Sequence, residues 1–192
     1  MPDRNQPALD FLLTRRSRPA KTLTAPWPTR TDLDPILTAA ARSPDHGMLT
    51  PWRFIILTGP ATDRMATTIS ARAEALKLDP ATAGKGIAQF AQSGCCVVAV
   101  ESPKPSPKIP ALEQTYSTGA VCLSLLNAAL AAGWGANWLT GWIATDRPFL
   151  EDSLHLSPGE RVAGFIHIGT EGVAPSERPR PDLAQITTWI DA

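Results

Sequence analysis

Cys95-Cys96-Val97-Val98-Ala99-Val100, followed after a proline-rich connection by Ala111 to Ala132, is the stretch on which the fold turns. The first run is apolar without a break and rich in β-branched residues. A strand that faces solvent on one side alternates, so an unbroken run predicts a strand covered on both faces, at the centre of its sheet. The second run is rich in Ala and Leu and carries no charge after Glu113. A helix that is apolar all round is buried all round, which predicts a central core helix or one shared with a second subunit. Between them, Ser102 to Pro110 holds four prolines and two lysines and must be an extended or mobile loop.

Working outward from this pair, the same grammar places the other elements. Ala8 to Leu13 has helical spacing, and Pro19 disfavours helical geometry at Arg18, so Arg15-Arg16-Ser17-Arg18 lies at a helix end. Pro19 to Pro28 reads as an extended loop. Thr31 or Asp32 can cap a helix from Leu33 to Arg42, with Pro35 in its first turn. Trp52 to Leu57 reads as a buried strand, and Thr62 to Leu78 and Ala81 to Gln92 as helices, the latter weakened by Gly84 and Gly86. Downstream come a strand at Ala136–Thr140, a short helix at Arg147–Leu154, a clear strand at Val162–Gly169 and an edge strand at Ile186–Ile190. No internal repeat and no domain boundary interrupts the series. The expectation is one α+β domain over residues 1–192, a small sheet flanked by helices.

Composition narrows the function classes. The 192 residues carry 18 basic and 18 acidic side chains, and zero net charge argues against a dedicated nucleic-acid binder. No apolar window is long enough to span a membrane, and the amino terminus lacks a secretory pattern. Three cysteines, two of them adjacent in an apolar run, read as reduced core thiols rather than a disulfide framework. A cytoplasmic protein with neither nucleic acid nor membrane as partner is expected. Nineteen prolines and six tryptophans against one tyrosine are the unusual counts.

The common catalytic motifs are missing. Gly133-Trp134-Gly135 follows a helix, whereas the dinucleotide fingerprint follows a strand. There is no P-loop, no His-Glu-x-x-His, no Cys-x-x-Cys and no Gly-x-Ser-x-Gly, and no metal site or acid–base catalyst is expected. Four segments still draw notice. Arg15-Arg16-Ser17-Arg18 combines guanidinium forks with a hydroxyl and so suits an oxyanion, although a solvated helix end is the plainer local reading. Ser43-Pro44-Asp45-His46 to Trp52 is a polar turn entering a strand. Trp138-Leu139-Thr140-Gly141-Trp142 reads locally as core strand, and Ser176 to Asp182 as a stiff charged loop.

In order and spacing these segments resemble the flavin-dependent nitroreductase family, in its short single-domain branch. The likeness runs from about Leu9 to Asp182 and includes Glu113 opening the long helix and Gly164-Phe165-Ile166-His167-Ile168-Gly169-Thr170. It implies an α+β fold with a mixed, mostly antiparallel sheet, in an interlocked homodimer with a long buried central helix. FMN would lie in clefts at the subunit interface. Carried over by position, Arg15, Arg16 and Ser17 would contact the flavin, and His46 and Thr50 would reach it from the other subunit. Trp138, Leu139 and Thr140 would line it, and Arg180, with Arg178 the second choice, would complete the phosphate grip. The resemblance implies an FMN-dependent oxidoreductase that takes hydride from NAD(P)H and reduces a small acceptor, a nitroaromatic or quinone. The alternatives are a flavoenzyme specialised for one substrate and a flavin-binding protein with little turnover. One departure stands out: Leu139 occupies a position where relatives often carry arginine. The clustered Trp134, Trp138 and Trp142 would then be rigid walls for a planar cofactor.

Overall fold

Residues 3–191 are described by a computed structural model. Its centre is the run quoted above. Strand β3 (Cys95–Glu101) is buried at every position, with Cys95, Val97 and Ala99 on one face and Cys96, Val98 and Val100 on the other. It pairs antiparallel with β2 (Trp52–Thr58) on one side and with β5 (Arg161–Glu171) on the other. The far edge of β5 carries β4 (Gly135–Leu139), and near its end β5 also pairs with β1 (Leu23–Thr24). Every pairing is antiparallel among the described residues.

Helices cover both faces, which is why β3 needs no polar side. On one face lie α2 (Arg30–Ala40) and α5 (Ala111–Ala131), whose Leu33, Ile36, Val121, Leu125 and Ala129 pack on Val97, Ala99, Ile166 and Ile168. On the other lie α3 (Pro60–Ala75), α4 (Pro80–Ala91) and α6 (Arg147–Leu154), whose Ile69, Phe90, Phe149 and Leu150 pack on Val98 and Phe165. Each such side chain contributes roughly 1.5–3 kcal/mol relative to exposure. Helix α1 (Gln6–Thr14) buries no residue, and the four-residue α7 (Leu183–Ile186) closes the series.

Several expectations are corrected. The cap of α2 is Thr29, whose hydroxyl accepts from the Asp32 amide while Asp32 accepts from the Thr29 amide. The helix therefore starts earlier, and Pro35 falls past its first turn. The Pro19–Pro28 segment is not all loop: it makes a 3-10 turn at Ala20–Thr22 and then β1. The proline-rich 102–110 loop is pinned by Gln114, which exchanges two hydrogen bonds of 2.8 and 2.9 Å with the Lys104 backbone. Ile186–Ile190 is no edge strand in this chain. Asp182 caps α7 instead, and Ile186, Trp189 and Ile190 stand exposed with no sheet edge against them. Helix α5 is not among these corrections: within one chain it is buried where it faces the sheet and α2, while Leu112, Tyr116 and Leu123 are 57%, 66% and 46% exposed, which agrees with the alternative of a helix shared with a second subunit.

Gly86 and Gly164 have packing roles. A Cβ on Gly86 would sit 2.6 Å from the Trp142 indole nitrogen, and one on Gly164 would sit 2.2 Å from that of Trp138. Trp138 and Trp142 therefore pack closely against bare backbone. Trp138 also donates its indole N–H to the Ala163 carbonyl at 3.1 Å.

The thiols are core residues. Cys95, Cys96 and Cys122 are free and buried, and burial pushes Cys95 and Cys122 up to about 12. Adjacent strand residues point to opposite faces, so Cys95 and Cys96 sit in different layers. No helix among the described residues is long and apolar enough to cross a membrane.

Candidate functional site

Helix α1 stops at Thr14, and the chain continues extended across the end of β4. Two bonds stitch it there: the Arg18 amide donates to the Ala136 carbonyl, and the Asn137 side-chain amide donates to the Arg18 carbonyl, each at 2.8 Å. This fixes Arg15, Arg16 and Ser17 along one wall of a cavity of about 580 Å3, with Asn137 and Trp138 beneath and Arg178 and Arg180 opposite. The two basic segments come from opposite ends of the chain and are tied directly. Arg16 donates to the Ser176 carbonyl and to Glu177 Oε1, and Arg180 donates to the same carboxylate oxygen at 3.0 Å.

The electrostatics of this cavity are lopsided. Four arginines line it, and Glu177 is the carboxylate that answers them. Arg15 is the most strained. Burial holds its guanidinium below the usual range, and Arg180, Arg16 and Arg18 push in the same direction. Its Nη2 donates to Ser17 Oγ at 3.1 Å, while its Nε is buried with no partner among the described residues. A buried donor left unsatisfied costs on the order of 1–3 kcal/mol. An arrangement that crowds cations and strands a donor is complementary to an anion with several oxygens.

The structure thus brings Arg15, Arg16, Ser17, Trp138 and Arg180 to one cavity and adds Arg178, Asn137, Pro19 and Pro175. The strand period divides the remaining residues. Trp138 faces the α5 layer, whereas Asn137 and Leu139 pair with His167 and Phe165 on the α4 side. Leu139 lines a neighbouring cavity under α4, and Thr140 is exposed, its carbonyl accepting from Gln89 Nε2 at 3.1 Å. Within one chain Leu139 and Thr140 thus lie outside the lining of the basic cavity, Thr140 just past the end of β4.

His46 and Thr50 lie apart from this cavity within the chain. Thr50 lines another concavity, of about 520 Å3, with Arg42, Ser43 and Asp45. His46 Nδ1 is 2.6 Å from Glu113 Oε2, and the Thr50 amide donates to Asp45 Oδ2 at 2.6 Å. Met48 and Thr50 both have positive φ, so this loop holds backbone strain. Ser117 and Thr118 of α5 hold it by donating to the Pro44 and Pro51 carbonyls.

Asn137 was missed as a site residue. It falls within the strand expected at Ala136–Thr140, and its signal is a lone amide in the otherwise apolar β4. Among the buried polar side chains is His167, on the strand next to β4. His167 has its Nδ1 2.9 Å from Ser93 Oγ, and Ser93 donates its hydroxyl to the Cys95 carbonyl at 3.0 Å. Nδ1 therefore carries the proton, and burial pushes this histidine down to about 4. No cluster of metal-ligating side chains occurs among the described residues.

Comparison with known proteins places these features. A model of the nitroreductase family matches residues 12–170. The Escherichia coli K12 protein named "Putative NAD(P)H nitroreductase YdjA" is 29% identical, over 95% of this chain and 99% of its own. A Haemophilus influenzae protein of the same description is 33% identical, over 89% and 91%. Among solved structures, a nitroreductase-like family protein from Bacillus cereus superposes with a TM-score of 0.81 at 21% identity, covering all of both chains. A Bacteroides fragilis nitroreductase with bound FMN superposes at 0.74 and 19%, covering 98% and 100%.

Proposed function

The chain belongs to the nitroreductase family, and on that premise we propose that it is an FMN-dependent NAD(P)H oxidoreductase that works as a cytoplasmic homodimer. The observation that carries the reading is the arginine-lined cavity. Its cations outnumber its one carboxylate, and the buried Arg15 Nε lacks a partner. A phosphate monoester near two negative charges, with three terminal oxygens, meets both needs. The residues therefore fit FMN. Arg15, Arg16 and Arg180 would hold its phosphate, Ser17 would orient Arg15, and the β4 backbone beside Trp138, Leu139 and Thr140 would carry the ring.

When bound, FMN accepts hydride from NAD(P)H, which leaves before a nitroaromatic, quinone or similar acceptor takes the electrons in the same cleft. The chain's own part is to bind, orient and exclude water. The Asn137 amide keeps the Arg15–Ser17 strand against β4. The Glu177 carboxylate spaces Arg16 from Arg180.

Uncovered apolar surface supports the homodimer. Leu12 and Leu13 of α1, Leu112, Tyr116 and Leu123 of α5, and Ile186, Trp189 and Ile190 of the tail are all exposed in a single chain. A second copy lying on α5 would bury that stripe and bring His46 and Thr50 toward its partner's cofactor, and the tail would interlock the pair. The buried free thiols suit a reducing compartment. The reading treats the whole chain as one FMN-binding domain.

The test is an absorbance spectrum of the purified protein under nitrogen, before and after NAD(P)H. A yellow protein that bleaches is expected. A colourless protein that takes up no added FMN would overturn the proposal. A yellow protein that NAD(P)H does not bleach would leave the flavin-binding reading without turnover.

A further inference from the structure

Between the start of α3 and the end of α4 lies a cavity of about 330 Å3 that shares no lining residue with the basic cavity. One wall is Trp27, a half-buried residue from the loop joining β1 to α2. Its ring is held against backbone. A Cβ placed on Gly94, just before β3, or on Gly169, in β5, would run into the indole. The side chain is thus fixed by two strands at points where no other side chain intervenes.

The charge of this cavity is opposite to that of the arginine cavity. Asp63 is its one ionisable lining residue, and that carboxylate makes no hydrogen bond or ion pair to a described residue. Helix α4 ends here, at Ala91 and Gln92, with no basic residue in its last turn to answer its carbonyl end. The start of α3 does little to offset this. The Gly59 amide donates to the Gly94 carbonyl at 3.1 Å, and the Thr62 amide donates to the Gly59 carbonyl at 3.0 Å. Ser93 is likewise spent, between the His167 ring and the Cys95 carbonyl. What remains for a ligand is one free carboxylate, the negative end of a helix and a fixed indole.

That combination suits a cation with apolar flanks. A bare divalent ion would require six or more oxygen ligands, and no metal-ligating cluster occurs among the described residues. An ammonium carrying carbon substituents is attracted to both the indole and the carboxylate. We propose that this cavity is a second binding site, for a small alkylammonium ion, with its carbon groups on Trp27 and its charge toward Asp63. The site stands independently of the flavin reading, since its residues line a separate cavity. A half-exposed ring and an exposed carboxylate each contribute modestly, so the ligand is held weakly and exchanges freely.

The test is an NMR titration of the purified protein, labelled at its six tryptophan indoles. Trp27→Phe identifies the Trp27 indole N–H signal by its loss. Tetramethylammonium chloride should move that signal saturably, with half the effect in the millimolar range. Sodium chloride at equal ionic strength and neutral tert-butanol should leave it in place. Asp63→Asn should weaken binding about three- to fivefold, and Asp63→Glu, which keeps the charge, should restore most of it. Asp63 is exposed in the first turn of a long helix, so both variants should fold. Absence of a saturable shift at Trp27 would overturn the proposal. So would an equal response to tert-butanol, or binding that Asp63→Asn leaves unchanged. None of these outcomes bears on the flavin reading, which the bleaching spectrum tests separately.

Discussion

Arg53, Arg72 and Arg161 each close on one carboxylate with two nitrogens, at 2.7–3.0 Å, on Glu160, Asp146 and Glu101. Arg15 has a guanidinium depressed first by burial and then by three neighbouring arginines, and a buried nitrogen with no partner among the described residues. The same side chain is used in opposite ways. In the first group it is consumed by structure, clamping strand ends and helix starts to one another. In the second it is withheld from structure, which is how a protein keeps charge available for something outside itself.

If that contrast is right, the two groups answer substitution in opposite ways. The largest effect is expected at Arg15. Arg15→Ala should raise the FMN dissociation constant about a hundredfold, the loss of about two charge-assisted contacts. The melting temperature of the flavin-free protein should not fall, because a desolvated, crowded cation has been removed. A lowered melting temperature with unchanged FMN affinity would collapse the comparison. Arg180→Ala, more exposed and already shared with Glu177, should cost about tenfold by the same titration.

Next in size comes the paired group. Glu160→Ala leaves Arg53 without its clamp and should cost about 2 kcal/mol, reduced from the buried-pair figure because Arg53 is 38% exposed. That is a fall in melting temperature of about 4–8 °C for a chain of this length, with FMN affinity unchanged. The same carboxyl gives an acid signature. Arg53 holds Glu160 down to about 2 against an ordinary 4.5. A depressed folded-state value stabilises above the ordinary one, so this contribution should be complete above pH 4.5 and lost as pH falls toward 2. His167, pushed down from 6.5 to about 4, destabilises over a higher window, with its loss accruing from pH 6.5 to 4. Urea midpoints for wild type and Glu160→Ala should converge as pH approaches 2, and parallel curves would argue against the clamp. The smallest effect is expected at Arg4, outside both groups, where Arg4→Ala should change neither affinity nor stability.

The paired group also explains what could be read in advance. Elements defined by local pattern were legible. The apolar run Cys95–Val100 is the sheet's buried strand, the Arg147–Leu154 helix ends where its spacing says, and α5 is a single long helix. Elements defined by a distant partner were not. β1 is two residues that become a strand only because Glu171 and Thr170 lie opposite. Ile186 to Ile190 has strand composition but meets no edge in its own chain. The site divides in the same way. Arg15, Arg16, Ser17, Trp138 and Arg180 were named from an ordered resemblance and meet in one cavity. The packing of the tryptophans was not legible either, because it depends on glycines far away in sequence, such as Gly164 beneath Trp138.

β5 pairs with β1, β3 and β4, and this has a consequence for the order in which the protein is made. Three of the other four strands meet only through a segment near the carboxyl end, so a nascent chain can join β2 to β3 early but must hold β1 and β4 without partners. The basic cavity is later still, since Arg16 reaches a carbonyl 160 residues downstream. Until translation is nearly finished the chain has helices and one hairpin-like pair but no sheet to receive a cofactor. On the proposed reading FMN would enter only a completed molecule, and a chain cut short before β5 should be a substrate for proteases rather than a weaker flavoprotein.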